Sequence, residues 1–241
     1  MKKELSIIIP CYNEAENMPF LLDKFKEILN GNLLKTTELI LVDNNSNDNT
    51  KEVLKKLLKR RKYPFARSVF QKIPGYGAAV YKGFSSAKGK YICHTHADLQ
   101  TDPKDTIKAF EMIKSNDNPQ KTFIKGKRYG RSFSDRFFTF GMSIFETLVL
   151  KKFLYDINAQ PNIFHKDFLR LIKNPPEDFS FDLYAYYLAK SNGYIVIRFP
   201  VYFGKRLHGH SAWNFGFKSR FKLIKRTINF TFKLKKILEE N

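Results

Sequence analysis

The sequence contains few cysteines, tryptophans and acidic residues, and it lacks a long uninterrupted apolar run. Of its 241 residues, two are cysteine (Cys11 and Cys93) and one is tryptophan. Two cysteines cannot supply the disulfide framework of a small secreted domain, and no charged, apolar and small-residue signal segment stands at the start. The sequence therefore predicts a reduced, cytoplasmic protein.

Acidic residues are scarce relative to basic ones. The chain has 23 Asp plus Glu against 43 Lys plus Arg, which gives a formal net charge of +20. Such a charge favours polyanionic partners, and nucleic acid, anionic lipid and phosphorylated small molecules all meet this description. No recognisable nucleic-acid-binding motif accompanies the basic residues, so we expect no nucleic-acid partner.

The longest apolar stretch is too short to predict a membrane-spanning helix. It covers residues 137–150, is interrupted by Glu146 and is bounded by Arg136 and Lys151, whereas a spanning helix needs roughly 20 apolar residues. No repeat and no linker rich in glycine, proline or serine divides the chain. We therefore predict one domain over residues 1–213, followed by a basic amphipathic helix over 214–241.

Short apolar runs alternate with longer amphipathic ones in the first hundred residues. Residues 5–9 and 39–42 are continuous apolar runs, as in parallel strands that are buried on both faces. Residues 20–29 and 53–58 show helical spacing. The later pattern predicts strands at 67–70, 91–93, 122–125 and 194–199, and helices at 77–87, 106–113, 133–154 and 183–189. This order indicates an α/β fold with a mostly parallel central sheet flanked by helices.

Polar residues follow these strands where each one ends. Asp43 follows the second strand, and Asp98 and Gln100 follow the fourth. Ligands of open α/β sheets bind at the carboxyl ends of the strands, and carboxylate and amide oxygens suit a divalent cation. The functional interpretation of these strand-end residues is a site for a nucleoside diphosphate and a metal ion. Taken singly, each aspartate is also typical of a turn or a helix cap.

Four segments together resemble a known family. They are SIIIPCYNEAEN at 6–17, ELILVDNNSNDNT at 38–50, GYGAA at 75–79 with Gly83, and ADLQTDP at 97–103. In this order they resemble the family 2 glycosyltransferases with the GT-A fold, especially the dolichyl- or polyprenyl-phosphate sugar synthase branch. Further on, GKR at 126–128, DINAQP at 156–161 and Arg206 with Gly209, Ser211 and Trp213 resemble later family motifs.

The resemblance implies a Rossmann-like GT-A domain, which in this chain is followed by the predicted amphipathic C-terminal helical extension, and it implies three groups of site residues. The nucleotide-binding residues would be Pro10, Tyr12, Glu14, Asp43, Lys82 and Asp98. The ligands of Mg²⁺ or Mn²⁺ would be Asp98, Gln100 and His96. The residues that bind phosphate or the acceptor would be Arg128, Arg131, Gln160, Arg206 and Ser211.

Two positions depart from the family pattern. His96 stands where the family usually has an aspartate, and Asn44 stands where it has a second acidic residue. Imidazole is a softer ligand than carboxylate and suits Zn²⁺ or Mn²⁺ better than Mg²⁺. Three roles for His96 stay open: it ligates the metal, binds the donor phosphate when protonated, or caps the turn.

The resemblance implies an inverting displacement at the anomeric carbon of a UDP- or GDP-sugar. A hydroxyl acceptor needs a general base, for which Asp182 and Asp156 are the candidates, whereas a phosphate acceptor is already ionised. Asp182 also fits the first turn of a helix, where the helix dipole favours an acidic residue.

The basic C-terminal run has two interpretations. Phe217, Phe221, Ile224 and Ile228 recur at helical spacing among lysines and arginines. In the first, the helix packs its apolar stripe on the domain. In the second, it lies on an anionic membrane surface, and the aromatic run 137–153 would then rest on the same membrane. We expect peripheral attachment to the inner face of the cytoplasmic membrane.

The sequence therefore predicts a metal-dependent glycosyltransferase that uses a nucleotide-sugar donor and a polyprenyl-phosphate or other lipid-linked acceptor. One alternative is an enzyme that extends a surface polysaccharide. Another is a GT-A domain that binds its ligands without turnover, because of the changes at Asn44 and His96.

Overall fold

The secondary structure follows the predicted alternation closely. The structure is a computed structural model that describes residues 2–59, 62–208 and 216–239. Its strands are β1 (Leu5–Cys11), β2 (Thr37–Asp43), β3 (Ala66–Phe70), β4 (Tyr91–His94), β5 (Thr122–Tyr129), β6 (Asn162–His165) and β7 (Ile195–Tyr202). Its α-helices are α1 (Met18–Ile28), α2 (Gly31–Thr36), α3 (Thr50–Lys59), α4 (Tyr76–Ser86), α5 (Lys104–Lys114), α6 (Phe133–Leu150), α7 (Phe181–Ser191) and α8 (Gly216–Glu239). Short 3₁₀ turns at Pro119–Lys121 and Lys166–Leu171 complete the set.

The seven strands form one sheet in the order β3-β2-β1-β4-β6-β5-β7. Strands β1 to β4 are parallel to one another, and β5 is parallel to β7. Strand β6 runs antiparallel to both β4 and β5. The predicted α/β class with a mostly parallel central sheet is confirmed.

The alternation of side chains along β1 builds a core on each face of the sheet. Ile7 and Ile9 pack with helices α1 and α5, while Ile8 packs with α4 and α7. All three side chains are fully buried, which explains why this strand is apolar at successive positions. Helix α4 approaches β1 so closely that a Cβ on Gly83 would lie 2.3 Å from a methyl carbon of Ile8.

Helix α8 packs against helix α6. The Thr231 hydroxyl donates to a carboxylate oxygen of Glu146 at 2.6 Å, and the rings of Phe145 and Phe232 lie 6.0 Å apart. Residues 213 and 214, at the predicted domain boundary, lie outside the described residues, so this division stays a prediction. Among the described residues, no helix has the length and apolar character that crossing a membrane requires.

Candidate active site

A cleft of about 950 Å³ opens at the carboxyl ends of β1 and β4 and extends to helices α6 and α8. Ten residues that the sequence assigned to the site line it: Pro10, Tyr12, Glu14, His96, Asp98, Gln100, Arg128, Arg131, Asp182 and Arg206. These residues lie up to 196 positions apart in the sequence, from 10 to 206. The cleft thus collects in one cavity the residues predicted for nucleotide, metal and acceptor.

Hydrogen bonds tie together the loops that follow β1 and β2. The backbone N–H of Asn13 donates to the Ser46 hydroxyl at 3.1 Å, and the N–H of Glu14 donates to the Thr50 hydroxyl at 2.9 Å. In the opposite direction, the N–H of Asn47 donates to the side-chain oxygen of Asn13 at 3.0 Å. Because both loops are held by these bonds, the Glu14 side chain projects from a fixed backbone.

Arg206 links two acidic side chains at the mouth of β1 and β4. Its guanidinium lies 2.8 Å from an Asp98 carboxylate oxygen and 3.7 Å from one of Glu14. Burial raises the pKa of Glu14 to about 7, although the hydrogen bond from the Asn17 amide acts in the opposite direction. The guanidinium is therefore the cation that balances the Asp98 carboxylate in this structure.

The turn after β4 presents Asp98 and Gln100 to the cleft. Between them Leu99 has φ +56°, in the left-handed region that costs a residue with a β-carbon about 1–2 kcal/mol. The Gln100 side-chain N–H donates to the carbonyl of Gly204 at 2.9 Å, so the amide nitrogen is held by the loop after β7. The strained turn fits a functional role for this segment.

The donor set at this turn fits a divalent cation that arrives with a diphosphate. No group of three or more His, Cys, Asp or Glu side chains with metal-binding geometry occurs among the described residues. Mg²⁺ in nucleotide sites needs one or two carboxylates and takes its other ligands from phosphate and water, so Asp98 with the Gln100 amide is sufficient. Burial lowers the pKa of His96 and so disfavours the protonated imidazole, although Asp98 and Asp182 act in the opposite direction.

Three arginines surround the carboxylate of Asp156. Arg128 contacts it at 2.5 Å, Arg131 at 3.4 Å and Arg198 at 3.7 Å. Asp156 is fully buried; burial raises its pKa, but Arg128 and Arg131 outweigh this effect and hold the pKa below the usual value. A depressed pKa and complete burial make Asp156 a weak general base. Its observed contacts orient Arg128 and Arg131, which line the cleft.

Asp182 lies at the wall of the cleft, at the start of α7, within a buried hydrogen-bond network. One carboxylate oxygen is 3.1 Å from Nε2 of His94, and the other accepts a bond from the Tyr76 hydroxyl at 3.2 Å. The Asn162 amide is also 3.1 Å from His94 Nε2. Burial raises the pKa of Asp182, but His94 and Lys125 outweigh it and the pKa lies below its usual value.

Four of the predicted site residues do not line the cleft. Asp43 is buried behind it and accepts a hydrogen bond from the N–H of Ser46 at 3.1 Å. Lys82 is exposed on α4. Asp156 and Gln160 are buried behind the lining, and the Gln160 amide donates to the Tyr76 hydroxyl. Ser211, with Gly209 and Trp213 of the same motif, lies outside the described residues.

Three charged residues near the cleft, two of them buried and Arg198 partly buried, were missed by sequence reasoning. Arg198 completes the cluster around Asp156. Lys125, 1% exposed, donates to the Asn162 side chain at 2.9 Å, and burial lowers its pKa to about 7. Glu146 lines the cleft and is fully buried on α6. In the sequence, Lys125 and Glu146 each stand out as a single charged residue inside an apolar segment, and this pattern could have identified them.

Residues 6–170 match the family model described as glycosyl transferase family 2. A dolichol-phosphate mannosyltransferase from Saccharomyces cerevisiae is 35% identical over 129 residues, which cover 54% of this chain and 46% of that protein. An undecaprenyl-phosphate 4-deoxy-4-formamido-L-arabinose transferase from Pseudomonas savastanoi pv. phaseolicola is 35% identical over 103 residues, 43% of this chain and 30% of that protein. The matched regions thus span less than half the length of these two relatives.

Solved structures share the fold at low sequence identity. Glucosyl-3-phosphoglycerate synthase from Mycobacterium tuberculosis, in complex with Mn²⁺, UDP and glucosyl-3-phosphoglycerate, is 14% identical with a TM-score of 0.72 over 97% of this chain and 80% of that chain. A mannosyltransferase from Pyrobaculum calidifontis, in complex with GDP-Man and Mn²⁺, is 19% identical with a TM-score of 0.64 over 88% of this chain and 60% of that chain.

Proposed function

Because the chain belongs to glycosyl transferase family 2, we propose that it transfers a sugar from a UDP- or GDP-sugar to a polyprenyl-phosphate or other lipid-linked acceptor. The transfer takes place at the cytoplasmic face of the membrane. The relatives that act on dolichol phosphate and undecaprenyl phosphate support the acceptor class. The solved neighbours with UDP or GDP-mannose support the donor class.

The observation that carries this proposal is the composition of the cleft. Asp98 and Arg206 line it at the ends of the parallel strands, and the arginine pair Arg128 and Arg131 lines it beside helix α6. One end is thus suited to a metal-bound diphosphate and the other to an anionic acceptor, within one cavity. Sugar transfer requires this juxtaposition of donor and acceptor.

We assign the nucleoside to the loops after β1 and β2. Tyr12 lines the cleft, and the side chain of Asp43 lies behind it with one buried carboxylate oxygen that has no partner among the described residues. A buried acceptor without a partner costs free energy, which a donor N–H or O–H of a base or ribose would recover. Glu14 stands beside them on the loop after β1.

We assign the diphosphate to Asp98, Gln100 and Arg206. Asp98 and the Gln100 amide oxygen would hold a divalent cation, which would supply positive charge for the leaving diphosphate. In this structure Arg206 pairs with Asp98, so a bound diphosphate offers the guanidinium a second anionic partner. The acceptor oxygen forms the new bond to the anomeric carbon as the bond to the diphosphate breaks, with inversion.

The acceptor group lies, in this proposal, between the arginines and Asp182. Arg128 and Arg131 suit an anionic phosphate, which is ionised at neutral pH and needs no base. Asp182 is the candidate base if the attacking group is a hydroxyl, because it lines the cleft and Asp156 does not, although the pKa of both carboxyl groups lies below the usual value. This second case includes the extension of a surface polysaccharide.

Calorimetric titration with UDP and GDP tests the donor site. With Mn²⁺ or Mg²⁺ present, we expect one nucleotide to bind at least tenfold more tightly than in chelator, because Asp98 would hold a cation that offsets the charge of the diphosphate. Binding of neither nucleotide to folded protein would contradict the enzyme proposal and favour a binding module of another kind.

We further propose that one exposed aromatic face rests on the membrane. On α6 it comprises Phe133, Phe137, Phe140, Ile144 and Leu148, each at least 46% exposed, and on α8 it includes Phe221 and Phe232. The exposed lysines Lys151 and Lys152 directly follow α6. Aromatic side chains flanked by cations suit the interface of an anionic bilayer.

Flotation with vesicles of anionic and neutral phospholipid tests this face. The triple substitution Phe137→Ser, Phe140→Ser and Leu148→Ser should weaken binding to anionic vesicles roughly 30-fold or more, because each side chain contributes on the order of 1 kcal/mol when it inserts. The matched control replaces Phe70, Ile73 and Ile195 with serine. These residues are 46–57% exposed but lie outside α6 and α8. Equal losses in both triples would contradict the assignment.

A further inference from the structure

The part of the cleft lined by helices α6 and α8 contains one carboxyl group that the proposed reaction does not use. We call this part the α6–α8 arm; its lining includes Met142, Glu146, Leu183 and Ile224. Besides Glu146, the other three of these side chains are apolar. The arm adjoins the positions on α6, including Thr139, that line the cleft near Arg131.

Glu146 is only half satisfied in the arm. Glu146 is 0% exposed. The Thr231 hydroxyl donates a hydrogen bond to its Oε2 at 2.6 Å. The other oxygen, Oε1, is buried and has no hydrogen-bond partner among the described residues. No ion pair joins Glu146 to a cation in the described part of the chain, although the protein carries 43 basic residues.

Stability does not explain this carboxyl group. A buried carboxyl with an open oxygen disfavours the folded state, and an apolar side chain of similar size would avoid that cost. Thr231 does not depend on it either, because its hydroxyl also lies 2.8 Å from the carbonyl of Thr227. Burial raises the pKa of Glu146 to about 7, so at and above neutral pH much of the carboxyl is ionised, and in that form Oε1 is a hydrogen-bond acceptor.

We propose that Oε1 of Glu146 accepts a hydrogen bond from a hydroxyl or amine of the acceptor substrate, in a subsite formed by the α6–α8 arm. This inference rests on the proposed function, since it takes the cleft to be the acceptor site. Arg128 and Arg131 then hold the anionic group of the acceptor, and Glu146 accepts a hydrogen bond from a donor group farther along the same molecule.

The subsite narrows the acceptor class. A bare polyprenyl chain carries no hydrogen-bond donor, so its hydrocarbon would leave Oε1 unsatisfied and would gain nothing from Glu146. A lipid-linked sugar or an amine-bearing head group supplies the missing donor. The buried carboxyl therefore favours an acceptor with a polar donor group beyond its phosphate.

Methyl NMR gives a local readout of this subsite. The chain has four methionines, and Met142 lines the arm, so ¹³C-methyl labelling of methionine places a reporter there. The probes are hexyl β-D-glucoside, hexylamine and hexyl methyl ether, added to the full chain without nucleotide or metal. We expect saturable shifts of the Met142 methyl signal with the glucoside or the amine, and at least tenfold weaker binding of the ether.

Substitution of Glu146 tests the assignment of the acceptor atom. Glu146→Leu should weaken the binding of the effective probe about tenfold or more, while Glu146→Gln should retain a hydroxyl probe and lose an amine probe, because the amide keeps an oxygen but has no charge. Glu111→Leu, at an exposed position of α5, is the matched control. If the leucine variant fails to fold, Glu146→Ala, which also removes both oxygens, carries the same test.

Three outcomes overturn the subsite: no shift of Met142 with any probe, equal affinity for the ether, or unchanged affinity in Glu146→Leu. Because the NMR titration contains no nucleotide, its result is independent of the calorimetric test. Nucleotide binding without a Met142 response overturns the subsite alone, whereas a Met142 response without nucleotide binding overturns the proposed donor site.

Discussion

Asp156→Asn is expected to lower the free energy of unfolding by about 3–5 kcal/mol, because it leaves buried guanidinium groups without their counter-charge. The side chains of Arg128, Arg131 and Arg198 are 12%, 7% and 18% exposed, and all three pair with the Asp156 carboxylate. Asparagine has nearly the same shape, so the loss measures charge rather than packing. Urea unfolding followed by circular dichroism gives the difference.

Asp23→Asn is the matched control for this substitution. Asp23 pairs with Lys62 at 2.8 Å, but both side chains are nearly half exposed, at 47% and 48%. Exposed pairs of this kind contribute about 0–1 kcal/mol. If Asp156→Asn costs no more than the control, then the arginines do not depend on Asp156 and its role as their anchor is wrong.

Asp98→Asn is expected to abolish the effect of metal on nucleotide binding. With Mn²⁺ present, the affinity for the preferred nucleotide should fall roughly 10- to 100-fold, because the carboxylate is the only charged ligand in the proposed set besides the diphosphate. In chelator the affinity should be unchanged or slightly tighter, since Arg206 loses its partner Asp98. Calorimetry in the two buffers measures both effects.

The different effects of Asp98→Asn in the two buffers distinguish the loss of a metal ligand from a structural defect. A purely structural loss would weaken binding equally with metal and with chelator. Asp117→Asn, at an exposed position after α5, serves as the control and should bind as the unmodified protein does. Retention of the full metal effect in Asp98→Asn would exclude Asp98 as a ligand.

The sequence predicted the central strands well because their burial is unusual. β1 and β2 are apolar on both faces, and only a strand in the middle of a sheet buries both. Strand β6 escaped prediction, since its four residues, NIFH, carry no clear period. Its antiparallel pairing with β4 and β5 joins distant segments, a contact that local patterning does not encode.

The positions of site residues that directly follow strands could be predicted from the sequence. The contacts of site residues whose partners come from distant segments could not. Asp98 and Gln100 were expected in the cleft from strand ends alone, and they line it. Asp156 was a candidate base, and no feature of its sequence shows that three arginines surround it. Two of those arginines precede it in the chain and the third follows it, 42 residues later.

The sequence by itself determined the α/β fold, the family and the strand ends at which a ligand would gather, because buried strands and short motifs leave local patterns. Only the tertiary structure decided the state of each charge. Asp156 and Glu146 are both fully buried carboxylates, yet the first is surrounded by arginines and the second has an open oxygen. Whether a buried acid is paired depends on which distant elements pack against it, and a local pattern contains no record of that contact.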